Sequence, residues 1–409
     1  MIETVFVVAL LLIWMAVLSW LVLALAGAAF ARSAARRAHL PEPETWPGVS
    51  LVIPAHNEQD VIEQSLRSFL ALDYPLDRLQ LLVVDDASTD ATGAICDRIA
   101  ATDRRLEVVH VPAGIGGTGK AAALNRALPR CRHPLIAVYD ADTLPRRDAI
   151  RRLVGALSDG SHVAAVGRLL KVNSRSSLLR RLAALEFTTF QWTFQAGRSR
   201  LFDVVLLTGT NYVIRTDVVR DLGGWDPAAL TEDLELSVRL YCRGHRVTFA
   251  PDAVAQEQDP DSLHVWIRQR TRWLIGNYYV LFRRTGAMVR SGHARALVVL
   301  WELYWLYALF LLALLASEAI FIGGLVGALH VPVEGRFLVL WALAFLVFLG
   351  TVQLAAALDR VDDWRTPLVG TAMYFFYSLL WLYVFARALV IYLARRGKVQ
   401  WSKTPHTAS

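Results

Sequence analysis

Four long apolar tracts constrain the fold of this chain more than any other feature. They cover residues 2–30, 296–329, 337–358 and 368–394. About 20 apolar residues in a helix cross the hydrocarbon of a membrane, and each tract is that long. Residues 48–290 instead have the make-up of an ordinary soluble domain. We therefore expect a soluble domain between membrane helices, with the first tract retained as an anchor because no cleavage pattern follows it.

Arginines at both ends of the soluble region predict where that region lies. They are Arg32, Arg36, Arg37, Arg283, Arg284, Arg290 and Arg295. Basic flanks favour the cytosol, so we expect the domain on the cytosolic face. Juxtamembrane arginine near anionic lipid also explains much of the net charge of +7, which therefore implies no nucleic-acid partner. The three scattered cysteines suit a reducing compartment.

The basic tail conflicts with a simple count of membrane spans. Arg395, Arg396 and Lys398 also favour the cytosol, but three spans after a cytosolic domain would place them outside. Either one tract lies in the interface, or one tract holds two spans, or the tail is outside. The tract 296–329 is the best candidate for the tract that does not cross the membrane as one simple span, because it carries Glu302 and begins with several Trp and Tyr residues.

Strand-like and helix-like segments alternate through the first part of the soluble region. The strand-like runs are 49–54, 79–84, 106–111 and 134–139, and the helical runs between them are 61–72, 91–101 and 120–128. This alternation predicts an α/β domain with a mostly parallel sheet and helices on both faces. Ligands bind beyond the carboxyl ends of such strands, where three of these runs end in Asn or Asp clusters.

Two later segments combine aromatic and basic residues. Residues 176–201 carry leucines and aromatic residues at helical spacing between basic ends, and residues 262–289 mix aromatic residues with arginines. We expect the second segment to lie at the membrane interface. The first segment either does the same or packs on the sheet.

The glycine-rich run 114–120 matches two nucleotide-binding patterns, and we interpret both matches as accidental. A P-loop needs Ser or Thr after its lysine to hold magnesium, but Ala121 follows Lys120. A dinucleotide fingerprint should follow the first strand of its unit rather than the third. Flexible backbone and a lysine before a helix still suit a diphosphate.

Two acidic motifs have the residue types for metal and proton chemistry. Asp140 and Asp142 leave a predicted strand one residue apart, so their oxygens can meet one hard cation such as Mg²⁺ or Mn²⁺. The alternative is a pair of solvated turn aspartates. Glu232 and Asp233 follow Thr231 at the start of a helical pattern. They can cap that helix, and a carboxylate there can also take the proton of an attacking hydroxyl group.

Residues 269–273 read Gln-Arg-Thr-Arg-Trp. The amide of Gln269 can form hydrogen bonds, Arg272 can pair with a diphosphate, and Trp273 offers a flat face to a sugar ring. The alternative is an interfacial helix with basic and aromatic anchors.

Together these motifs resemble family 2 of the inverting glycosyltransferases, in the processive, membrane-integrated branch that makes cellulose, hyaluronan and poly-N-acetylglucosamine. The matching segments, in the family's order, are 54–58, 84–90, 119–125, 140–142, 231–233 and 269–273. Each is weak alone, but the ordered series is specific. The resemblance implies a GT-A-like fold, a UDP-sugar donor, Mg²⁺ or Mn²⁺, and a growing polysaccharide as acceptor at a bacterial-type inner membrane.

The resemblance also implies roles for the matching residues. The nucleotide-sugar would contact Ala55, Asn57, Glu58, Asp86, Lys120, Asp140 and Arg272. Asp142 would hold the metal, and Asp233, beside Glu232, would be the catalytic base. The acceptor would contact Thr208, Gly209, Thr210, Gln269 and Trp273. Residues 208–210 depart from the stretch that cellulose synthases carry there, which leaves the acceptor open. Residues 401–404 resemble a tail motif of the hyaluronan and poly-N-acetylglucosamine synthases, which favours a cytosolic tail.

The expected organisation follows from these patterns. It comprises a membrane helix at 1–31, a GT-A-like domain at 48–260, interfacial helices at 261–295, a membrane region at 296–394 and a basic tail at 395–409. Four tracts are few for a channel, so an accessory membrane subunit or a homo-oligomer is a candidate partner. Three alternatives stay open: transfer of one sugar to a lipid-linked acceptor, a P-loop-like nucleotidase, and a non-catalytic membrane scaffold.

Overall fold

The computed structural model describes residues 2–37, 45–172, 174, 176–305, 335–361 and 363–395, with a few single positions between 307 and 327. Helix α1 (Ile2–Arg37) comes first. The soluble domain then begins with β1 (Val49–Ala55), α2 (Ile62–Leu70), β2 (Leu79–Asp85), α3 (Thr92–Ala100), β3 (Leu106–His110), α4 (Lys120–Ala127) and β4 (Leu135–Val138). These bounds follow the predicted runs closely, so the predicted alternation is confirmed.

The rest of the chain contains short strands and long helices. The domain continues with β5 (Leu144–Pro145), α5 (Ala149–Gly155), β6 (Ala164–Val172), α6 (Leu178–Thr189), a first π-helical turn (Phe190–Gln195), α7 (Ala196–Phe202), β7 (Tyr212–Arg215), α8 (Thr216–Asp221), α9 (Glu232–Cys242) and β8 (Val247–Gln258). After it come α10 (Leu263–Ser291), α11 (Ala294–Tyr304), α12 (Gly335–Asp359), α13 (Thr366–Ala372), a second π-helical turn (Met373–Tyr377) and α14 (Ser378–Ala394).

The eight strands form one mixed sheet in the order β3-β2-β1-β4-β7-β6-β8-β5. Strands β3, β2, β1 and β4 are parallel, as predicted. Strand β7 runs antiparallel to both β4 and β6, and β5 runs antiparallel to β8. Strand β6 pairs in parallel with β8 along its whole length. Four of the seven pairings among the described strands are therefore parallel, and the antiparallel pairings all involve β7 or β5. Strand β4 is as short as β7, but it lies within the longer apolar run 134–139. The apolar residues of β7 are only Tyr212 to Ile214, and β5 has two residues, so neither has a run that is long enough to identify it.

The central strands separate two apolar layers. Val52 and Leu82 belong to a core that also includes residues of α4, α9 and α10. Leu51 and Ile53, the neighbours of Val52 along the chain, belong to a second core with α2 and α3. Successive side chains of a strand point to opposite faces, so one continuous apolar run fills both layers.

Within the described residues, three helices are long and apolar enough to cross a membrane. They are Val7–Ala34, Val339–Asp359 and Thr366–Ala394, the last of which runs through the second π-helical turn. Most of residues 306–329 lie outside the described residues, and so does the tail beyond residue 395. The predictions about the tract 296–329 and about residues 401–404 therefore stay predictions.

The stretch from α6 to α7 joins the sheet to the apolar helices. The Gln191 side chain accepts a hydrogen bond from the Leu169 amide of β6 at 2.7 Å and donates one to the Leu169 carbonyl at 2.9 Å. On its other side, a Cβ on Gly27 of α1 would lie 1.9 Å from the Trp192 carbonyl oxygen. The Trp192 indole also donates to Asp359 of α12 at 2.9 Å. This stretch therefore packs on the sheet and also touches two of the apolar helices.

We predict that Gly27→Ala weakens the packing of α1 on the soluble domain. The added methyl group would overlap a backbone carbonyl that cannot rotate away, and overpacking of this kind typically costs about 1–3 kcal/mol. Gly350→Ala is the matched control, because a Cβ there meets nothing within 4 Å. Thermal unfolding in detergent should give a lower Tm for Gly27→Ala and an unchanged or slightly higher Tm for the control. Equal Tm values would show that α1 does not approach the domain this closely.

Candidate active site

The ends of two elements and one loop meet on the side chain of Lys120, the first residue of α4. Its ammonium donates hydrogen bonds to the carboxylate of Asp140, which follows β4, and to the Gly209 carbonyl at 2.8 Å. The Lys120 Nζ also lies 3.5 Å from Oε1 of Glu232, the first residue of α9. The fold thus brings together three segments that are far apart in the sequence.

The acidic neighbours keep Lys120 charged. Burial alone would lower the pKa of Lys120, but the charges of Asp140, Glu232 and Asp233 outweigh it and raise the pKa above its usual value. Burial, followed by the charge of Glu232, raises the pKa of Asp233 to about 7, although Lys120 opposes the shift. A carboxylate with a pKa near the working pH is suited to general base catalysis.

Arg272 of α10 faces the same acidic cluster. Burial lowers the pKa of Arg272, and the charges of Glu232, Asp140 and Asp233 oppose that shift. Its Nε is buried and forms no hydrogen bond with the part of the chain that the structure describes. A guanidinium carries five donors in a planar fork, so Arg272 retains capacity to bind a phosphate.

Residues 208–210 line the cluster directly. Gly209 has a φ of +78° and approaches Asp233 so closely that a Cβ there would lie 3.3 Å from Oδ2. The Thr210 hydroxyl accepts a hydrogen bond from the Asp140 amide at 3.0 Å, and the Thr208 hydroxyl donates to the Thr210 carbonyl at 3.2 Å. The stretch assigned to the acceptor therefore lies beside the expected base and helps to orient Asp140.

Asn211, which directly follows this loop and supports it, was not among the residues predicted from the sequence. Asn211 has a left-handed φ of +54°, and its Oδ1 accepts a hydrogen bond from the Tyr139 hydroxyl at 2.7 Å. Its Nδ2 donates to the carbonyls of Arg168 at 3.0 Å and Ala253 at 2.9 Å. Asn tolerates left-handed backbone, which was the available signal, but its partners lie far away in the sequence.

Asp86 is buried at the expected nucleotide end. Its amide donates to the Ala55 carbonyl at 2.8 Å, and its carboxylate accepts from Arg126 at 3.1 Å. Arg126 also donates to the Ile115 carbonyl. A Cβ on Gly116 would lie 3.1 Å from Asp86 Oδ1. The glycine-rich run therefore lies across Asp86, and Arg126 is a contact that the sequence analysis missed.

The loops that follow β1 and β2 are joined by hydrogen bonds between backbone amides and side chains. Asn57 has a φ of +56°, and its Oδ1 accepts a hydrogen bond from the Thr89 amide at 2.7 Å. The Glu58 amide donates to the Thr92 hydroxyl at 2.7 Å. These contacts explain why the motifs at residues 54–58 and 84–90 occur together, since each shapes the loop of the other.

Residues Asp140 and Asp142 are the candidate metal ligands. Asp142 is partly exposed, two residues beyond Asp140. Within the described residues, no three His, Cys, Asp or Glu side chains are grouped closely enough to hold a metal ion. Mg²⁺ usually keeps one or two protein carboxylates and takes its other ligands from phosphate and water, so a pair of aspartates fits such an ion. Asp140 also accepts a hydrogen bond from Lys120, so its carboxylate would contact both the metal ion and the Lys120 ammonium.

Helix α10 brings the motif 269–273 to the start of α9. A Cβ on Gly276 would lie 2.6 Å from the Thr231 hydroxyl oxygen, so the two helices are in close contact. The Gln269 side chain accepts a hydrogen bond from Arg270 at 2.7 Å, and the Arg270 guanidinium lies 4.1 Å from the centre of the Trp273 ring. The two residues expected to bind the acceptor therefore share one cationic neighbour.

We predict that Asp233→Asn stabilises the protein more at pH 8.5 than at pH 5.5. The folded-state pKa of about 7 lies above the usual carboxyl value, so the stability from the bound proton is lost as the pH rises through 7. Asn does not titrate and escapes this loss. Asp221→Asn, which removes an exposed carboxylate, is the matched control. The Tm gain, corrected for the control, should be larger at pH 8.5 by at least about 2 °C. A gain that falls with pH would contradict the raised pKa.

The fold and sequence both have known relatives. Residues 47–276 match the family described as glycosyltransferase-like family 2. The chain is 36% identical to the probable glycosyltransferase YdaM of Bacillus subtilis, over 88% of this chain and 86% of that protein. It is 30% identical to the beta-monoglucosyldiacylglycerol synthase of Synechocystis, over 64% of this chain and 56% of that protein. It is 25% identical to the poly-beta-1,6-N-acetyl-D-glucosamine synthase of Staphylococcus aureus, over 64% of each.

A solved structure shares this fold over most of the chain. It is the mannosyltransferase PcManGT of Pyrobaculum calidifontis in complex with GDP-Man and Mn²⁺, with a TM-score of 0.60 and 22% identity over 91% of this chain and 99% of that one. At this identity the likeness shows the fold alone, which is GT-A-like. Three of the described helices are long and apolar enough to cross a membrane. Because the family match covers more than half of the chain, this protein belongs to family 2 of the glycosyltransferases.

Proposed function

We propose that this protein is a processive, inverting glycosyltransferase that extends a polysaccharide from a UDP-sugar at the cytosolic face of a bacterial-type inner membrane. The observation that carries the proposal is the cluster of Lys120, Asp140, Glu232, Asp233 and Arg272. It combines a carboxylate with a pKa near 7 and two cations that suit a diphosphate. The three apolar helices support the membrane location.

The proposed chemistry is a single displacement. Asp233 accepts the proton of an acceptor hydroxyl group, and that oxygen attacks the anomeric carbon from the face opposite the diphosphate. The new glycosidic bond forms as the bond to the diphosphate breaks, so the configuration inverts. Lys120 and Arg272 stabilise the negative charge that develops on the leaving group. A Mg²⁺ or Mn²⁺ ion held by Asp142 and Asp140 would supply further positive charge to the diphosphate.

The remaining assigned residues complete this site. Ala55, Asn57, Glu58 and Asp86 would hold the nucleotide, because their loops meet at the strand ends beside α4. The stretch 208–210, with Gln269 and Trp273, would hold the acceptor. A homo-oligomer or an accessory membrane subunit would complete a path for the polymer.

A second candidate is the transfer of one sugar to a lipid acceptor. The likeness to the Synechocystis synthase, at 30% identity, favours it, whereas the likeness to the Staphylococcus polysaccharide synthase, at 25%, favours the polymer. Both reactions use the same donor chemistry. The length of the product separates them.

We predict that the protein in nanodiscs, with Mg²⁺ or Mn²⁺, releases UDP from one donor and forms a long product. Five donors would be offered separately: UDP-glucose, UDP-N-acetylglucosamine, UDP-galactose, UDP-glucuronate and GDP-mannose. GDP-mannose tests whether the nucleotide must carry uracil. A single-sugar lipid product would replace the processive reading with the second candidate. Activity that survives exhaustive chelation would rule out a metal at Asp142.

We predict that Asp233→Asn lowers kcat by about 10²- to 10⁴-fold, the usual contribution of a general base. The affinity for UDP should change little, because Lys120 and Arg272 stay in place. The wild-type kcat should rise with pH through about 7 as Asp233 loses its proton. Asp221→Asn is the control for the loss of one carboxylate. Near-wild-type turnover of Asp233→Asn would exclude Asp233 as the base.

A further inference from the structure

Arg270 is one of the most enclosed charged side chains of the molecule. It lies inside the motif 269–273, and only 2% of the residue is exposed. It donates a hydrogen bond to the Gln269 side chain at 2.7 Å, and its guanidinium lies 4.1 Å from the centre of the Trp273 ring. A hydrogen bond and a cation–π contact both depend on direction, so Arg270 restrains the orientation of both neighbours.

The guanidinium is held in turn by residues outside this part of α10. Glu186 of α6 accepts a hydrogen bond from Arg270 at 3.3 Å, and the Tyr377 hydroxyl donates to the same Glu186 oxygen. The Trp266 indole donates to the Tyr377 hydroxyl oxygen at 2.8 Å. Tyr377 lies in the second π-helical turn, within the apolar helix Thr366–Ala394. A continuous chain of contacts therefore runs from that helix to the motif.

Aromatic rings complete the enclosure. The Arg270 guanidinium lies 5.7 Å from the centre of the Trp266 ring and 6.0 Å from that of Trp381, which belongs to α14. Burial alone would lower the pKa of Arg270, but the charge of Glu186 leads the interactions that outweigh it and raise the pKa. Arg270 thus stays charged, and a charged group that is fixed on several sides has little freedom to reorient.

We propose that Arg270 is a positioning residue through which the apolar helix Thr366–Ala394 sets the orientation of Gln269 and Trp273 toward the acceptor. This inference rests on the proposed function, in which those two residues bind the acceptor. Arg272, two residues further on, faces the donor cluster instead. The two arginines of the motif therefore act on different substrates, Arg272 by contact and Arg270 through its neighbours.

The test separates acceptor binding from donor binding in the full-length protein in nanodiscs. Arg270→Lys keeps the charge but loses the planar fork. Glu186→Gln and Tyr377→Phe weaken the contacts that hold the Arg270 guanidinium in place. Arg283→Gln, an exposed position on the same helix, is the matched control. A β-1,6-linked N-acetylglucosamine oligomer and diacylglycerol vesicles serve as acceptor probes with the UDP-sugar that the wild type uses. The dissociation constant of UDP is measured by calorimetry.

We expect Arg270→Lys to raise the acceptor KM about tenfold, since it loses a directed hydrogen bond and a close cation–π contact. Glu186→Gln and Tyr377→Phe should shift the same KM in the same direction by less. The dissociation constant of UDP and the hydrolysis of donor without acceptor should stay near the wild-type values in all three variants and in the control.

An acceptor KM that is unchanged in the variants would overturn the inference, and so would a UDP affinity that falls in step with it, as general unfolding would cause. Glu186→Gln and Tyr377→Phe decide the matter if Arg270→Lys fails to fold. Absence of transfer by the wild type would instead overturn the proposed function, and this inference with it. If the wild type transfers sugar and the variants keep its acceptor KM, the inference is overturned but the proposed function stands.

Discussion

The contact between one partly buried ammonium and its acidic neighbours holds the candidate site together. Lys120 touches Asp140, Gly209 and Glu232, which come from the end of β4, a loop and the start of α9. Like charges packed in a poorly solvated place repel one another, and the lysine offsets that repulsion only in part. Burial of the Asp233 carboxyl group, followed by the charge of Glu232, raises the pKa of Asp233, while Lys120 stays charged. The same cluster thus gives Asp233, the proposed base, a pKa near 7.

The site is built from two parts of the chain that meet at α10. The soluble sheet supplies the nucleotide loops and the acidic residues at its strand ends. Helix α10 supplies Arg272 and the rest of the motif 269–273, and it packs against Thr231 at the start of α9 and against α14 through its aromatic residues.

Much of the first half of the domain could be predicted from the sequence, because the apolar runs that contain strands β1 to β4, and the helical runs between them, extend far enough to show their patterns. The positions of Asp140 and Asp233 followed as well, since one leaves a strand and the other begins a helix. The antiparallel β7 could not be predicted from four residues. The pair of Arg270 and Glu186 was also out of reach, because its partners lie 84 positions apart and no local pattern joins them.

The stereochemistry of the transfer tests the central claim most directly. A wild-type sample would be supplied with the α-linked UDP-sugar that it consumes, and the new glycosidic linkage would be examined by NMR early in the reaction. A single displacement with Asp233 as base requires a β-linked product, because the acceptor oxygen attacks opposite the diphosphate. An α-linked product would contradict that mechanism and would require a different role for Asp233.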